Sequence, residues 1–145
     1  MAERPASGLR VGPGEGAGVT EAMIQDVVHA FYGRIRTDPE LGPIFDRVIG
    51  QDWDSHLAKM CDFWSSVLLM TGRFKGQPMV AHTRIADIQP RHFERWLLLF
   101  RQTAQTRCPG QAAALFIAKS EMIAQSLQLG IAASRGILPS TTETG

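Results

Sequence analysis

Histidine has the widest chemical reach of any side chain in this sequence, since it ligates metals and carries protons near neutral pH. Four histidines occur among the 145 residues. His82 stands in FKGQPMVAH, with Met79, Val80 and Ala81 before it and Ile85 after it. An imidazole so placed is either an ordinary core or surface side chain or a ligand to a metal in an apolar pocket. A bare zinc or iron ion needs about three or four protein ligands, and no HxH, HExxH or paired ExxH spacing supplies the others. A macrocycle that brings its own nitrogens needs only one such residue, so a ligating His82 points to haem. His56, in DWDSHLAKM, shares a helical face with Met60 and Trp64; the alternative is a helix-surface histidine. Tyr32 is the only tyrosine, and a buried phenol needs a partner for its hydroxyl. Trp96 reads as a core aromatic on spacing alone, and His29, off the apolar stripe of its segment, is assigned no role.

The elements that must position these residues are helical. From Thr20 to about Arg36, Ile24, Val27, Val28, Phe31 and Ile35 recur at helical steps, with Thr20 as a cap and Glu21 favourable in the first turn. DPELGPIF, with its prolines and glycine, stops this helix and forms a corner before Phe45. From Asp52 to about Met70, a face of Trp53, Leu57, Met60, Cys61, Trp64, Val67 and Leu68 predicts a second long helix ending near Gly72. Pro78 to Ala86 is a short or irregular helix carrying His82 one turn in. Pro90 opens a third long helix with the stripe Phe93, Trp96, Leu97, Phe100 and Ala104, closed by Cys108-Pro109-Gly110. A fourth runs from about Gln111 to Ala133 and is expected to bury Leu115, Ala118, Met122, Ser126 and Leu129. No segment alternates as a half-buried strand does, so the fold class is all-α.

With 145 residues at 44% hydrophobic, one core and one domain are expected. A net charge of +1, from 15 basic and 14 acidic side chains, gives no field for gathering phosphates, which disfavours nucleic-acid binding. Cys61 and Cys108 lie in unrelated contexts without CxxC spacing, so neither a disulfide framework nor a cysteine cage is expected. No stretch reaches the roughly 20 apolar residues of a membrane span and the N-terminus lacks a signal-peptide core, giving a cytoplasmic expectation. The Gly- and Pro-rich residues 1–18 read as a flexible tail, 19–133 as the folded domain and 134–145 as a second flexible tail.

Read in order, FYGRIR, DPELGPIF, DWDSHLAKMCDFW, FKGQPMVAH and PRHFERWLLLF resemble the truncated haemoglobins of bacteria, specifically the third group of that family, over roughly residues 20–132. The glycine pairs that mark the other groups are missing from their usual places. The resemblance implies a globin-like two-over-two helical sandwich around haem b. It implies that His82 is the proximal iron ligand through a neutral nitrogen, its other ring nitrogen donating to a carbonyl or water. It implies that Tyr32 donates to dioxygen held at the iron, that Trp96 adds a second donor, and that His56 is a distal residue gating access. Phe45 is expected to pack on the haem ring, Met60 and Trp64 to form the distal wall, Lys59 to pair with a propionate, and Phe93 to form the proximal wall. The implied function is binding or transport of dioxygen, with nitric oxide, carbon monoxide and peroxide as other ligands. The alternative is a redox enzyme using the same pocket. It would be either a nitric oxide dioxygenase, which requires a reductase partner, or a peroxidase in which His56 shuttles a proton.

Overall fold

Thr20 starts the first long helix: its hydroxyl accepts a hydrogen bond from the Met23 amide at 3.1 Å, satisfying a donor that a helix start leaves orphaned. The computed structural model describes residues 12–83, 85 and 88–136. Within them lie α1 (Pro13–Gly16), α2 (Glu21–Thr37), α3 (Leu41–Ile49), α4 (Trp53–Leu69), α5 (Pro78–Thr83), α6 (Pro90–Arg107) and α7 (Gly110–Ser134). There is no strand among the described residues.

Asp38 makes the corner after α2. Its side chain, 2% exposed, accepts hydrogen bonds from the amides of Leu41 at 2.9 Å and Glu40 at 3.1 Å. The other carboxylate oxygen receives Nε and Nη2 of Arg95 at 2.9 and 2.7 Å, tying the corner to α6. The turn expected across DPELGPIF is therefore shorter than its prolines suggested, and α3 takes up the rest. Pro43 falls in the first turn of α3, where a missing amide hydrogen costs nothing. Gly42 is needed because α3 starts hard against the end of α2; a Cβ there would lie 2.8 Å from the Arg36 carbonyl oxygen.

α2 packs on α4, α6 packs on α7, and α2 crosses α6. This is the two-over-two sandwich, in a single all-α domain. Its main core centres on Phe31, Phe100 and Phe116, with Ile24, Val27 and Leu68 around them. A second cluster of Ile88, Phe93, Ala124, Leu127 and Ile131 lies between α6 and the C-terminal half of α7. α5 packs chiefly on α7 and joins this second region.

The buried face of α7 differs from the one expected. Ala112, Ala113, Phe116, Ser120, Ala124, Leu127 and Ile131 are buried, whereas Met122 and Leu129 are 59% and 47% exposed, and Ala118 and Ser126 are also exposed. Apolar residues surround this helix on all sides, so periodicity selects no single stripe. Contact with α6 instead favours the face rich in Ala and Ser, which lets the two backbones approach. Of the expected N-terminal tail, residues 1–11 lie outside the described residues. The part from Gly12 onward forms α1, docked on α4 so tightly that a Cβ on Gly12 would meet the Leu68 carbonyl oxygen at 2.2 Å. Residues 137–145 of the C-terminal tail, and Ala86 at the expected end of the short helix, also lie outside the described residues.

Burial pushes the Asp38 carboxyl up, but the Arg95 hydrogen bonds, the Leu41 and Glu40 amides and the Arg95 charge together hold it below the usual carboxylate range. A carboxyl depressed in the fold contributes stability above its unfolded pKa and loses it as pH falls through the folded value. Asp38→Ala should therefore destabilise the protein by about 2 kcal/mol at pH 7, allowing for the partial exposure of Arg95. The difference from the unsubstituted chain should shrink on acidification below about pH 4, as urea denaturation at the two pH values would measure.

Candidate functional site

Pro78 opens α5, and its carbonyl oxygen lies 2.7 Å from Nδ1 of His82. A carbonyl only accepts, so Nδ1 carries the hydrogen and donates. The proton of the neutral ring is thereby committed, and Nε2 is left with its lone pair. The side chain is half-buried. Among the described residues no group of three or more His, Cys, Asp or Glu could hold a metal ion. A metal at this histidine would have to bring its other ligands with it.

α2 and α4 build the other half of the site. Tyr32 is 6% exposed, and its ring lies 5.0 Å from His56, 6.0 Å from Phe45 and 6.1 Å from Trp53. Burial raises its phenol well above the ordinary value, so the hydroxyl stays protonated and remains a donor. His56 is pushed down to about 4, first by burial and then by the nearby charges of Lys59 and His82. Nε2 of His56 and Nε1 of Trp53 are buried without hydrogen-bond partners. Such atoms cost about 1–3 kcal/mol each when left unsatisfied, so they suit a site that takes a polar occupant.

Trp96, half-buried on α6, meets Phe31 edge-on at 5.2 Å and stacks on Phe100 at 5.5 Å and 7°. Trp64, expected in the distal wall, is 4% exposed and stacks on the same Phe100 at 5.2 Å and 10°. It therefore supports the support of Trp96 and makes no ring contact with Tyr32 or His56. Phe45 sits half-buried on α3, and Met60 is half-buried against the main core. Lys59 is exposed, and Phe93 is buried in the second cluster. His29 is exposed, and His92, which the sequence reading left without a role, accepts the Gln89 amide through Nδ1 at 2.8 Å and caps α6.

The sequence reading missed Trp53. It was counted only as an apolar-stripe residue, yet its ring lies 5.8 Å from His56 and Arg36 stands over its face at 4.5 Å. Its position one helical turn before His56 was the available signal. A surface groove of about 740 Å³ between α2 and α4, lined by Glu21, His29, Cys61 and Arg73 among others, contains none of these site residues.

His82, with Nδ1 bonded to a backbone carbonyl, and the cluster of Tyr32, His56 and Trp53 with its unpaired buried nitrogens offer the donor chemistry that a haem protein uses. Comparison with known proteins agrees. The Bacterial-like globin family matches residues 15–125. The group 3 truncated hemoglobin ctb of Campylobacter jejuni is 31% identical over 113 residues, covering 76% of this chain and 89% of that protein. The chain belongs to the third group of truncated haemoglobins. The crystal structure of the group III truncated hemoglobin from Campylobacter jejuni superimposes with a TM-score of 0.73, covering 76% of this chain and 89% of the other. Membership of this globin family brings haem binding and small diatomic ligands. No helix among the described residues is long and apolar enough to cross a membrane.

His56 should remain uncharged over most of the acid range. In the haem-free protein its imidazole should titrate near pH 4 by NMR, and a midpoint at 6 or above would contradict the burial assigned to it. Because its folded pKa lies below the unfolded value of about 6.5, the unfolded chain binds more protons between those values. Stability should accordingly fall as pH drops from about 6.5 towards 4, a loss that His56→Gln removes.

Proposed function

We propose that this truncated haemoglobin holds haem b through Nε2 of His82 and binds dioxygen and other small diatomic ligands on the side lined by Tyr32, Trp96 and His56. The observation that carries the reading is the 2.7 Å hydrogen bond between His82 Nδ1 and the Pro78 carbonyl. With the ring neutral, that bond puts the proton on Nδ1 and leaves Nε2 to ligate. When bound, the haem supplies an iron with one coordination position open to a diatomic ligand and with one-electron redox chemistry.

The chain's own residues do the rest. Tyr32, kept protonated by burial, donates a hydrogen bond to a ligand in the pocket, and the bond strengthens as charge shifts onto that ligand. The Trp96 indole adds a second donor that never titrates. His56 borders Tyr32 and Trp53, and its turning in or out controls access. Phe45 and Met60 pack the ligand side, Trp64 braces Phe100 behind Trp96, and Phe93 lies on the His82 side. Lys59, exposed one helical turn from His56, pairs with a propionate.

A redox enzyme using the same pocket is the second reading. Peroxide chemistry asks one residue to take up and return a proton near neutral pH, and efficiency is greatest when its pKa is close to the working pH. An imidazole held near 4 is a weak base for that task, which favours ligand binding over a peroxidase. Oxidation of nitric oxide would rest on a reductase that restores ferrous iron.

Purified protein loaded with haem should show a Soret band, and His82→Ala should abolish stable loading while His29, His56 and His92 remain. Stopped-flow displacement of dioxygen from Tyr32→Phe should be faster by about tenfold for each 1.4 kcal/mol of hydrogen bonding lost. An unchanged off-rate would remove Tyr32 from the assigned role.

A further inference from the structure

α5 is six residues long, too short to be stable by itself. The residue it carries must nevertheless be held in one place if it is to keep a prosthetic group. The chain after α5 supplies part of the answer. The Ile85 amide donates to the His82 carbonyl at 3.1 Å, and the Ile88 amide donates to the Ile85 carbonyl at 3.4 Å. The side chains of Ile85 and Ile88 belong to the second apolar cluster, against Ala124, Leu127 and Ile131 of α7.

The backbone of the same segment is gripped by a single side chain from the far end of the protein. Arg135 donates through Nη1 to the Ile88 carbonyl and through Nη2 to the Ile85 carbonyl, both at 2.9 Å. Its own amide is bonded back to the Ile131 and Ala132 carbonyls at 3.1 and 3.2 Å, so the guanidinium projects from a fixed helix end. A planar guanidinium is suited to spanning two carbonyls in this way. Arg135 lies beyond the matched globin stretch of residues 15–125.

We propose that Arg135 is a positioning residue for the proximal ligand: by clamping the Ile85 and Ile88 carbonyls it fixes the backbone at those two positions after His82, and so sets how tightly haem is retained. The proposal rests on His82 being the ligand. Arg135 is assigned no contact with the reacting atoms; its role would be exerted through the Ile85 and Ile88 carbonyls.

The test uses the haem-loaded full chain. Arg135→Met should speed transfer of haem to an apoglobin acceptor on the order of tenfold. It should also shift the iron–histidine stretching frequency of the ferrous protein and speed hydrogen exchange at the Ile85 amide. Exchange at Val28 and Phe31, deep in the main core, should stay as it was. Arg135→Lys keeps a charged donor without the fork and should fall between the two; it also serves if the methionine variant does not fold. Unchanged haem transfer would overturn the proposal, whatever happens at Ile85. So would faster transfer matched by faster exchange at Val28 and Phe31 with no shift in the stretching frequency, since that is general loosening. A separate variant, His82→Gly supplied with imidazole, examines the ligand itself. If imidazole does not restore the Soret band, the reading of His82 fails, whereas the exchange at Ile85 still reports on the clamp.

Discussion

Phe31 is 1% exposed and meets Tyr32, Trp96 and Phe100 edge-on at 4.9, 5.2 and 5.0 Å. These contacts link α2 to α6 through one ring, and the polar side of the site hangs from them. Tyr32 follows Phe31 in the chain, so fixing one ring fixes the start of the other. Trp96 is held between Phe31 and Phe100, and Phe100 in turn is stacked on Trp64 of α4. Edge-to-face and offset rings have narrow orientational minima, and a close-packed interior leaves them little room to turn. Tyr32 and Trp96 are thus placed by apolar packing. Had hydrogen bonds within the protein set their positions, those same bonds would compete with any ligand.

The opposite side is built on another principle. α5 has no large aromatic lattice behind it, and His82 is oriented by a backbone carbonyl from its own first turn. Beyond it, Arg135 bonds the carbonyls of Ile85 and Ile88, whose side chains join a small aliphatic cluster on α7. Local hydrogen bonds can fix a tautomer, which packing cannot do. Rings packed in a core can hold a donor at a depth where free backbone groups would be costly. Each half of the site therefore uses the interaction suited to what it must control, and the fold's separation into two apolar clusters keeps them distinct.

Local rules made the long helices legible. Thr20 does cap α2 and Pro90 does open α6, because caps and first-turn prolines depend on a few neighbouring residues. Tyr32 and His56 were assigned to one pocket only through the family resemblance; the fold sets their rings 5.0 Å apart. What escaped depends on contacts distant in sequence. The face of α7 is decided by how closely α6 approaches, which nothing in α7 alone records. α3 was hidden because Pro43 reads as a stop unless its place in the first turn is known. Asp38 looks like a turn residue, and only the fold shows Arg95, 57 positions away, completing it. Arg135 reaches back 47 and 50 residues to backbone carbonyls, which have no sequence signature at all.

The electrostatics of the site follow from the same packing. An exposed imidazole beside an exposed phenol would change charge with pH and attract water. Buried as they are, Tyr32 is held in its protonated form and His56 in its neutral form. The pocket therefore offers dipoles in place of charges. A neutral donor gains strength in a low-dielectric setting as negative charge grows on its partner, while costing much less to bury than an ion. On the proposed reading, that combination lets the site favour ligands that accumulate charge. Among the described residues, the buried side-chain nitrogens without a hydrogen-bond partner are Nε2 of His56 and Nε1 of Trp53. On the proposed reading, these atoms lie where a bound ligand has the most to give.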